Sequence, residues 1–94
     1  MPLPEIFRAL ANPTRRRILG LLKKRSMAAG EIAEQFDMTG ATVSHHLSVL
    51  KHAGLVSDRH EGKYIYYDLN LSVLEELIGW FDGLVEGSNG SHEN

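Results

Sequence analysis

The residues of this chain whose types could support chemistry stand together in the stretch TGATVSHHLSVLKHAGL, 39–55, which has the pattern of a short helix. A helix chelates a metal ion through histidines four residues apart, whereas His45 and His52 are seven apart, roughly 10 Å along the axis at ~1.5 Å per residue. The side chains of Ser44 and His45 diverge by about 100° on a helix, and no carboxylate lies three or four residues from His45 to orient its ring. We therefore expect neither a metal site nor a catalytic nucleophile on this helix.

The same helix has an aliphatic side and a polar side. Val43, Leu47 and Leu50 fall together on the helical wheel, which predicts that this side is buried. His45 points away from it, whereas His46 leans toward the core. A helix whose N-terminal end carries only small and polar residues can enter the DNA major groove, although a merely solvated face is the alternative. The residues that we expect to contact DNA from this end are Thr39, Ala41, Thr42, Ser44 and His45.

The charges are divided unevenly along the chain, although its net charge is only −2. Residues 1–67 hold all ten Lys and Arg against six acids, a net charge of +4, and residues 68–94 hold six acids and no base. Such asymmetry favours a basic working surface with an acidic segment kept away from it. Among the cations, Arg15 falls beside the apolar stripe of its helix, so we expect it to be half-buried and structural.

The elements that position these residues follow from periodicity and from capping residues. Thr39 is the expected N-cap of the 39–54 helix, and Gly54 is its expected end. A small helix before it completes a helix-turn-helix unit. Helices are predicted over five segments: 4–10, 13–25, 26–36, 39–54 and 71–87.

A β-hairpin is predicted after Gly54. Two β-branched and aromatic-rich runs, 55–60 and 64–70, flank a glycine-containing connection. Arg59 and Lys63 lie beside its tip, where they could reach DNA phosphates or the minor groove.

The predicted fold is mostly α with a small β-hairpin, a winged helix-turn-helix in which the two strands lie between the fourth and fifth helices. A chain of 94 residues has room for one core, so residues 1–86 are expected to form one domain for DNA binding and dimerisation. Residues 87–94 contain no hydrophobic side chain and are predicted to be a flexible tail.

The last helix carries an apolar band that is wider than the core of one small monomer can cover. We expect one edge to pack inward and the other to meet a symmetry mate, together with residues of the first helix. A broader intramolecular core is the alternative. The expected dimer interface consists of Ile6, Phe7, Leu74, Leu77, Ile78, Trp80, Phe81 and Leu84.

Three segments, NPTRRRILGLL, SHHLSVLKHAGLV and RHEGKYIYYDL, together resemble the ArsR family of small winged-helix repressors. The resemblance covers about residues 5–86 and is closest to autorepressor-type members without metal ligands. It implies a non-enzymatic homodimer, joined through its first and last helices, that represses transcription from an inverted-repeat DNA operator. Metal sensors of the family use cysteines before the recognition helix or acid and histidine pairs on the last helix, and this chain departs from both patterns.

No cofactor or metal is therefore expected, and Asp82 and Glu86, four residues apart, are interpreted as solvated. Two alternatives stay open: a metal- or ligand-responsive sensor of the same fold, and a winged-helix module that binds protein. A protein that sequesters the repressor is a further candidate partner. The chain has no cysteine, no signal-peptide pattern and no stretch of ~20 apolar residues, so we expect a soluble cytoplasmic protein.

Overall fold

The computed structural model describes the backbone of residues 1–92 and the side chains of residues 1–87. Within these residues, five helices and three strands form a winged helix-turn-helix, which confirms the predicted fold class. Their order is α1 (Leu3–Leu10), α2 (Pro13–Leu22), β1 (Met27–Ala28), α3 (Ala29–Glu34), α4 (Gly40–His52), β2 (Val56–Glu61), β3 (Tyr64–Leu69) and α5 (Leu71–His92).

Strand β1 is an element that the sequence interpretation missed, because it assigned residues 26–36 to one helix. Met27 and Ala28 pair antiparallel with Tyr67 and Tyr66 of β3, so the described sheet has the order β1-β3-β2. The extended backbone of Ala28 then leads into α3, and the Glu31 carboxylate accepts a hydrogen bond from the Ala28 N–H at 3.0 Å. This hydrogen bond, with the nearby Arg25, lowers the pKa of Glu31.

Helix α2 begins as predicted but ends earlier. The Asn12 side chain accepts a hydrogen bond from the Arg15 N–H at 3.0 Å and Pro13 occupies the first turn, where its missing N–H costs nothing. The helix ends at Leu22, three residues before the predicted end, with a tightened last turn in which the Lys24 N–H donates to the Leu21 carbonyl at 3.1 Å. Because α2 ends at Leu22, Met27 and Ala28 are free to adopt the extended backbone of β1.

Both ends of α4 are as predicted. The Thr39 hydroxyl accepts a hydrogen bond from the Thr42 N–H at 3.2 Å. At the other end Gly54 has a φ of +82°, and the N–H groups of Gly54 and Leu55 donate to the carbonyls of Lys51 and Leu50 at 2.9 and 3.0 Å. This pair of hydrogen bonds closes the helix and turns the chain into β2.

The core lies between the first four helices, the sheet and the start of α5. Its largest fully buried side chains are Ile6, Ile18, Ile32, Val43, Leu47, Leu50 and Leu55. Two residues that the sequence had assigned to the dimer interface, Ile6 and Leu77, belong to this core, with 0% and 7% of their surface exposed. This corrects the assignment of these two residues, because a side chain already covered by its own protomer has little surface left for a partner.

The second half of α5 extends away from that core. Every residue from Ile78 to Gly87 is exposed. In the described backbone, residues 87–92 of the segment predicted to be a flexible tail, 87–94, continue α5, and the prediction that this segment is flexible stays untested.

Candidate nucleic-acid interface

Helix α4 presents the two sides that the wheel predicts. Val43, Leu47 and Leu50 have no exposed surface, whereas Ser44 and His45 are exposed. Ala41 and Thr42 are exposed as well, so the N-terminal half of α4 offers an open surface of small and polar side chains. A helix with such a surface fits into the major groove of DNA.

Two of the predicted contact residues also hold the helix N-terminus together. The Thr39 hydroxyl caps α4, and the hydroxyls of Thr39 and Thr42 lie 3.0 Å apart. Both side chains are exposed, so they combine capping with a surface position. The N–H groups of this first turn give the end of α4 a partial positive charge, which favours an anion nearby.

The adjacent histidines occupy different environments, as predicted. His45 is exposed, whereas His46 is only 9% exposed and its Nδ1 lies 3.4 Å from Nη1 of Arg15. Burial, and then the positive charges of Arg15 and His45, lower the pKa of His46. The neutral ring can accept a hydrogen bond at Nδ1 from the guanidinium, which leaves its proton on Nε2.

Arg15 has the structural role that its position on the wheel predicts. Its Nε donates to the Ala9 carbonyl at 2.8 Å and its Nη2 to the Arg8 carbonyl at 3.0 Å, both at the C-terminal end of α1. Together with the contact to His46, this partly buried side chain joins α1, α2 and α4. The arrangement fixes the recognition helix against the first helix.

The wing is tied to the recognition helix by an ion pair. Nζ of Lys51 lies 2.8 Å from Oδ2 of Asp58, which raises the pKa of Lys51 and lowers that of Asp58, mainly through the hydrogen bond between them. This pair was not predicted from the sequence, because its members lie seven residues apart on different elements. Lys51 is one of the ten basic residues of the chain, but its charge is paired with Asp58 within the protein.

The two predicted wing contacts are not equivalent. Arg59 is held by two carboxylates, Glu61 at 2.7 Å and Asp68 at 2.8 Å. Lys63 forms no salt bridge with any described residue, and its ammonium lies 5.8 Å from the centre of the Tyr64 ring. Lys63 is therefore the wing cation that is free to meet an incoming anion.

Within the described residues, no group of three or more His, Cys, Asp or Glu side chains is placed to hold a metal ion. In the same part of the chain, no helix is both long and apolar enough to span a bilayer.

The sequence and the fold match those of known regulators. A sequence model described as "Helix-turn-helix domain" matches residues 10–59. The transcriptional repressor SdpR of Bacillus subtilis is 49% identical over 75 residues, covering 80% of this chain and 83% of SdpR. A regulator of Methanocaldococcus jannaschii named as HTH-type is 40% identical over 81 residues, covering 85% of this chain and 91% of that protein.

Among solved structures, the crystal structure of an ArsR family transcriptional regulator superposes with a TM-score of 0.84 at 28% identity, covering 93% of this chain and 90% of that one. This chain is a member of the ArsR family. The ArsR-family chain is thus a DNA-binding winged-helix transcriptional regulator, and its family consists of regulators rather than enzymes.

Proposed function

We propose that this ArsR-family chain is a repressor that binds, as a homodimer, to an inverted-repeat operator whose half-sites lie about one helical turn apart. The observation that carries the proposal is the N-terminal half of α4, whose aliphatic side is fully buried while Ser44 and His45 are exposed. Its similarity to the repressor SdpR supports the direction of regulation. Such a protein works in the cytoplasm.

In this proposal, some of the exposed residues of α4 and the wing contact the bases of DNA and others contact its phosphates. Ser44 and His45 contact base edges in the major groove, because both are exposed near the N-terminal end of α4. Thr39, Ala41 and Thr42 lie at the positively polarised first turn, where phosphate oxygens are favoured. Lys63 meets a phosphate beside the wing.

The proposed dimer face joins α1 to the middle of α5. Phe7 makes edge contacts with Trp80 and Phe81, with ring centroids 5.9 and 6.3 Å apart, and all three rings remain well exposed. Ile78 and Leu84 continue this apolar surface along α5, and the partly buried Leu74 lies at its inner edge. A patch of this type on a small protein favours a symmetric partner, which would place two recognition helices on one duplex.

The experiment that tests this function begins with the selection of bound duplexes from a random pool. Fluorescence anisotropy then measures affinity for a selected duplex and for a scrambled duplex of equal composition, across a range of salt concentrations. We expect an inverted repeat to be selected, and log affinity to fall by about 0.9 per phosphate contact for each unit of log salt. A flat salt dependence, or equal affinity for the two duplexes, would contradict sequence-specific DNA binding and favour the protein-binding alternative.

A further inference from the structure

Arg59 is the centre of a polar cluster on one face of the wing. Its Nε donates to Glu61 at 2.7 Å, and its Nη1 donates to Asp68 at 2.8 Å and to the Ser26 hydroxyl at 3.3 Å. The guanidinium carbon also lies 5.3 Å from the centre of the Tyr66 ring. Arg59 and Tyr66 are cross-strand partners, so their side chains leave the sheet on the same face.

The charges around Arg59 make it a poor phosphate ligand. Two carboxylates surround one guanidinium, so the cluster carries a net charge of −1 when all its groups are ionised. A DNA phosphate that approached this guanidinium would also approach two carboxylates, which repel it. Arg59 is 44% exposed, so exposure does not prevent contact, but its Nε and Nη1 already donate to Glu61, Asp68 and Ser26.

The cluster also spans all three strands of the described sheet. Arg59 and Glu61 belong to β2, Asp68 belongs to β3, and Ser26 directly precedes β1. The Ser26 hydroxyl donates a further hydrogen bond to Asp68. An isolated two-stranded hairpin is only marginally stable in water, so side-chain cross-links between its strands and to the segment before β1 help to determine where its tip lies.

Lys63 stands at that tip, beyond the cluster. It follows Gly62, whose φ of +63° forms the turn, and its neighbour Tyr64 is 53% exposed. The position of the Lys63 ammonium therefore depends on how rigidly the Arg59 cluster holds β2 and β3 together.

We propose that Arg59 is a positioning residue, which fixes the hairpin on β1 and so presents Lys63 to the DNA backbone. The inference rests on the proposed function. It assigns the phosphate contact of the wing to Lys63 and gives Arg59 an internal role.

A double-mutant cycle tests this inference on the selected duplex. Lys63→Met should reduce affinity and lower the salt slope by about 1.8 per dimer, one phosphate for each wing. Arg59→Met should reduce affinity about fivefold in the wild-type background and hardly at all in the Lys63→Met background, because it acts through that contact. Additive losses, or no loss from Arg59→Met alone, would overturn the proposal.

Two further variants separate positioning from charge. Arg59→Lys restores the positive charge but cannot donate to Glu61, Asp68 and Ser26 together, so we expect it to remain weakened. Full recovery with lysine would show a phosphate contact and overturn the proposal. Asp68→Asn removes a negative charge, which by itself would strengthen DNA binding, whereas loss of the cross-link should weaken it. Tighter binding by Asp68→Asn would also overturn the proposal.

A failure of the proposed function would be visible separately, since the wild-type protein would then show no preference for the selected duplex over the scrambled one. The cluster can still be tested in that case by amide hydrogen exchange of the free protein. Arg59→Met should speed exchange in residues 58–67, whereas Lys63→Met should not. Equal exchange in the two variants would overturn the positioning role without any use of DNA.

Discussion

His45 and His46 differ in environment although they are neighbours in sequence. The exposed His45 ring is available to a ligand, so His45→Ala should weaken binding to the selected duplex by about tenfold, the range of one good base contact. Thermal stability should change by less than about 0.5 kcal/mol, because the side chain is exposed. Anisotropy and thermal denaturation measure the two effects. His52→Ala, at the other end of the helix, is the control, and a large loss of stability in His45→Ala would contradict the proposed orientation of α4.

His46 should make stability depend on pH. Its folded pKa lies below the ordinary 6.5 because of burial and of the nearby Arg15. As the pH falls through 6.5, His46 is therefore protonated in the unfolded chain before it is protonated in the folded protein. The free energy of unfolding then decreases until the pH passes the lower pKa of His46 in the folded protein. Above that window both states are neutral and the effect vanishes. The carboxyl groups of Glu31 and Asp58, whose pKa values are lowered, lose their stabilising effect only in more acidic solution.

Urea denaturation at pH 7.5 and 5.5 measures this dependence. His46→Leu should lose less stability than the wild-type protein between the two pH values, because it removes the group that titrates. His52→Gln, which changes an exposed histidine of the same helix, is the matched control and should keep the wild-type difference. The interpretation fails if His46→Leu and the wild-type protein respond equally.

The orientation of these side chains could be predicted from the sequence, but their partners could not. The spacing of the apolar residues in α4 predicts that Val43 is buried and His45 exposed, because the buried side of a helix determines how the helix is rotated about its axis. The partners of Arg59 could not be predicted in this way, since one of them, Ser26, lies 33 residues away along the chain. Its pairing depends on the strand register and on the addition of β1, neither of which the local sequence specifies.

At the scale of the elements, Gly54 determines how α4 passes into the wing. Its φ of +82° is a conformation that costs a residue with a Cβ about 1–2 kcal/mol. Gly54→Ala should therefore destabilise the protein by about that amount, as measured by urea denaturation. A Cβ at this position would lie 3.6 Å from Val73, an ordinary contact, so the backbone is the cause.

Gly20→Ala is the matched control for this prediction. Gly20 lies in the interior of α2, and a Cβ added there meets nothing within 4 Å. Alanine should stabilise that helix by about 0.5–1 kcal/mol, the opposite sign from Gly54→Ala. Equal effects of the two substitutions would show that the left-handed turn is not what Gly54 supplies.

The elements differ in how well their sequences predict them. Helix α4 has a capping threonine, a clear apolar period and a closing glycine, and its ends agree with the prediction. Strand β1 has only two residues, too few for an alternating pattern, and its partner Tyr67 lies 40 positions further along the chain. The early end of α2 at Leu22 follows from that pairing, so it was missed for the same reason.

At the scale of the whole molecule, Arg15 joins the two proposed surfaces. Its guanidinium binds carbonyl groups of α1, the helix that carries Phe7, and contacts His46 on the recognition helix. The spacing of two recognition helices in a dimer depends on how rigidly each is fixed to the dimer face. The sequence predicted that this face lies on α1 and α5 but included Ile6 and Leu77, because an apolar band does not reveal which edge one protomer covers.

Trp80 tests the dimer face. Its ring packs edge-on against Phe7 and Phe81, with centroids 5.9 and 5.1 Å away, and is still 38% exposed. Aromatic residues of this kind supply much of the binding energy of an interface, so Trp80→Ala should weaken the dimer by about 2 kcal/mol, roughly thirtyfold in its dissociation constant. Sedimentation equilibrium measures this constant. Leu71→Ala is the control, since Leu71 is exposed at the start of α5 and outside the proposed face.

The same substitution should change DNA binding in a way that depends on protein concentration. If the operator is bound by a dimer, Trp80→Ala should bind it weakly at low protein concentration and recover at concentrations where its dimer re-forms, because its recognition helix is intact. A weakening that persists at every concentration would assign Trp80 to the folding of the protomer. An unchanged dissociation constant in sedimentation would remove this residue from the interface and leave the exposed half of α5 without the symmetric partner that we propose.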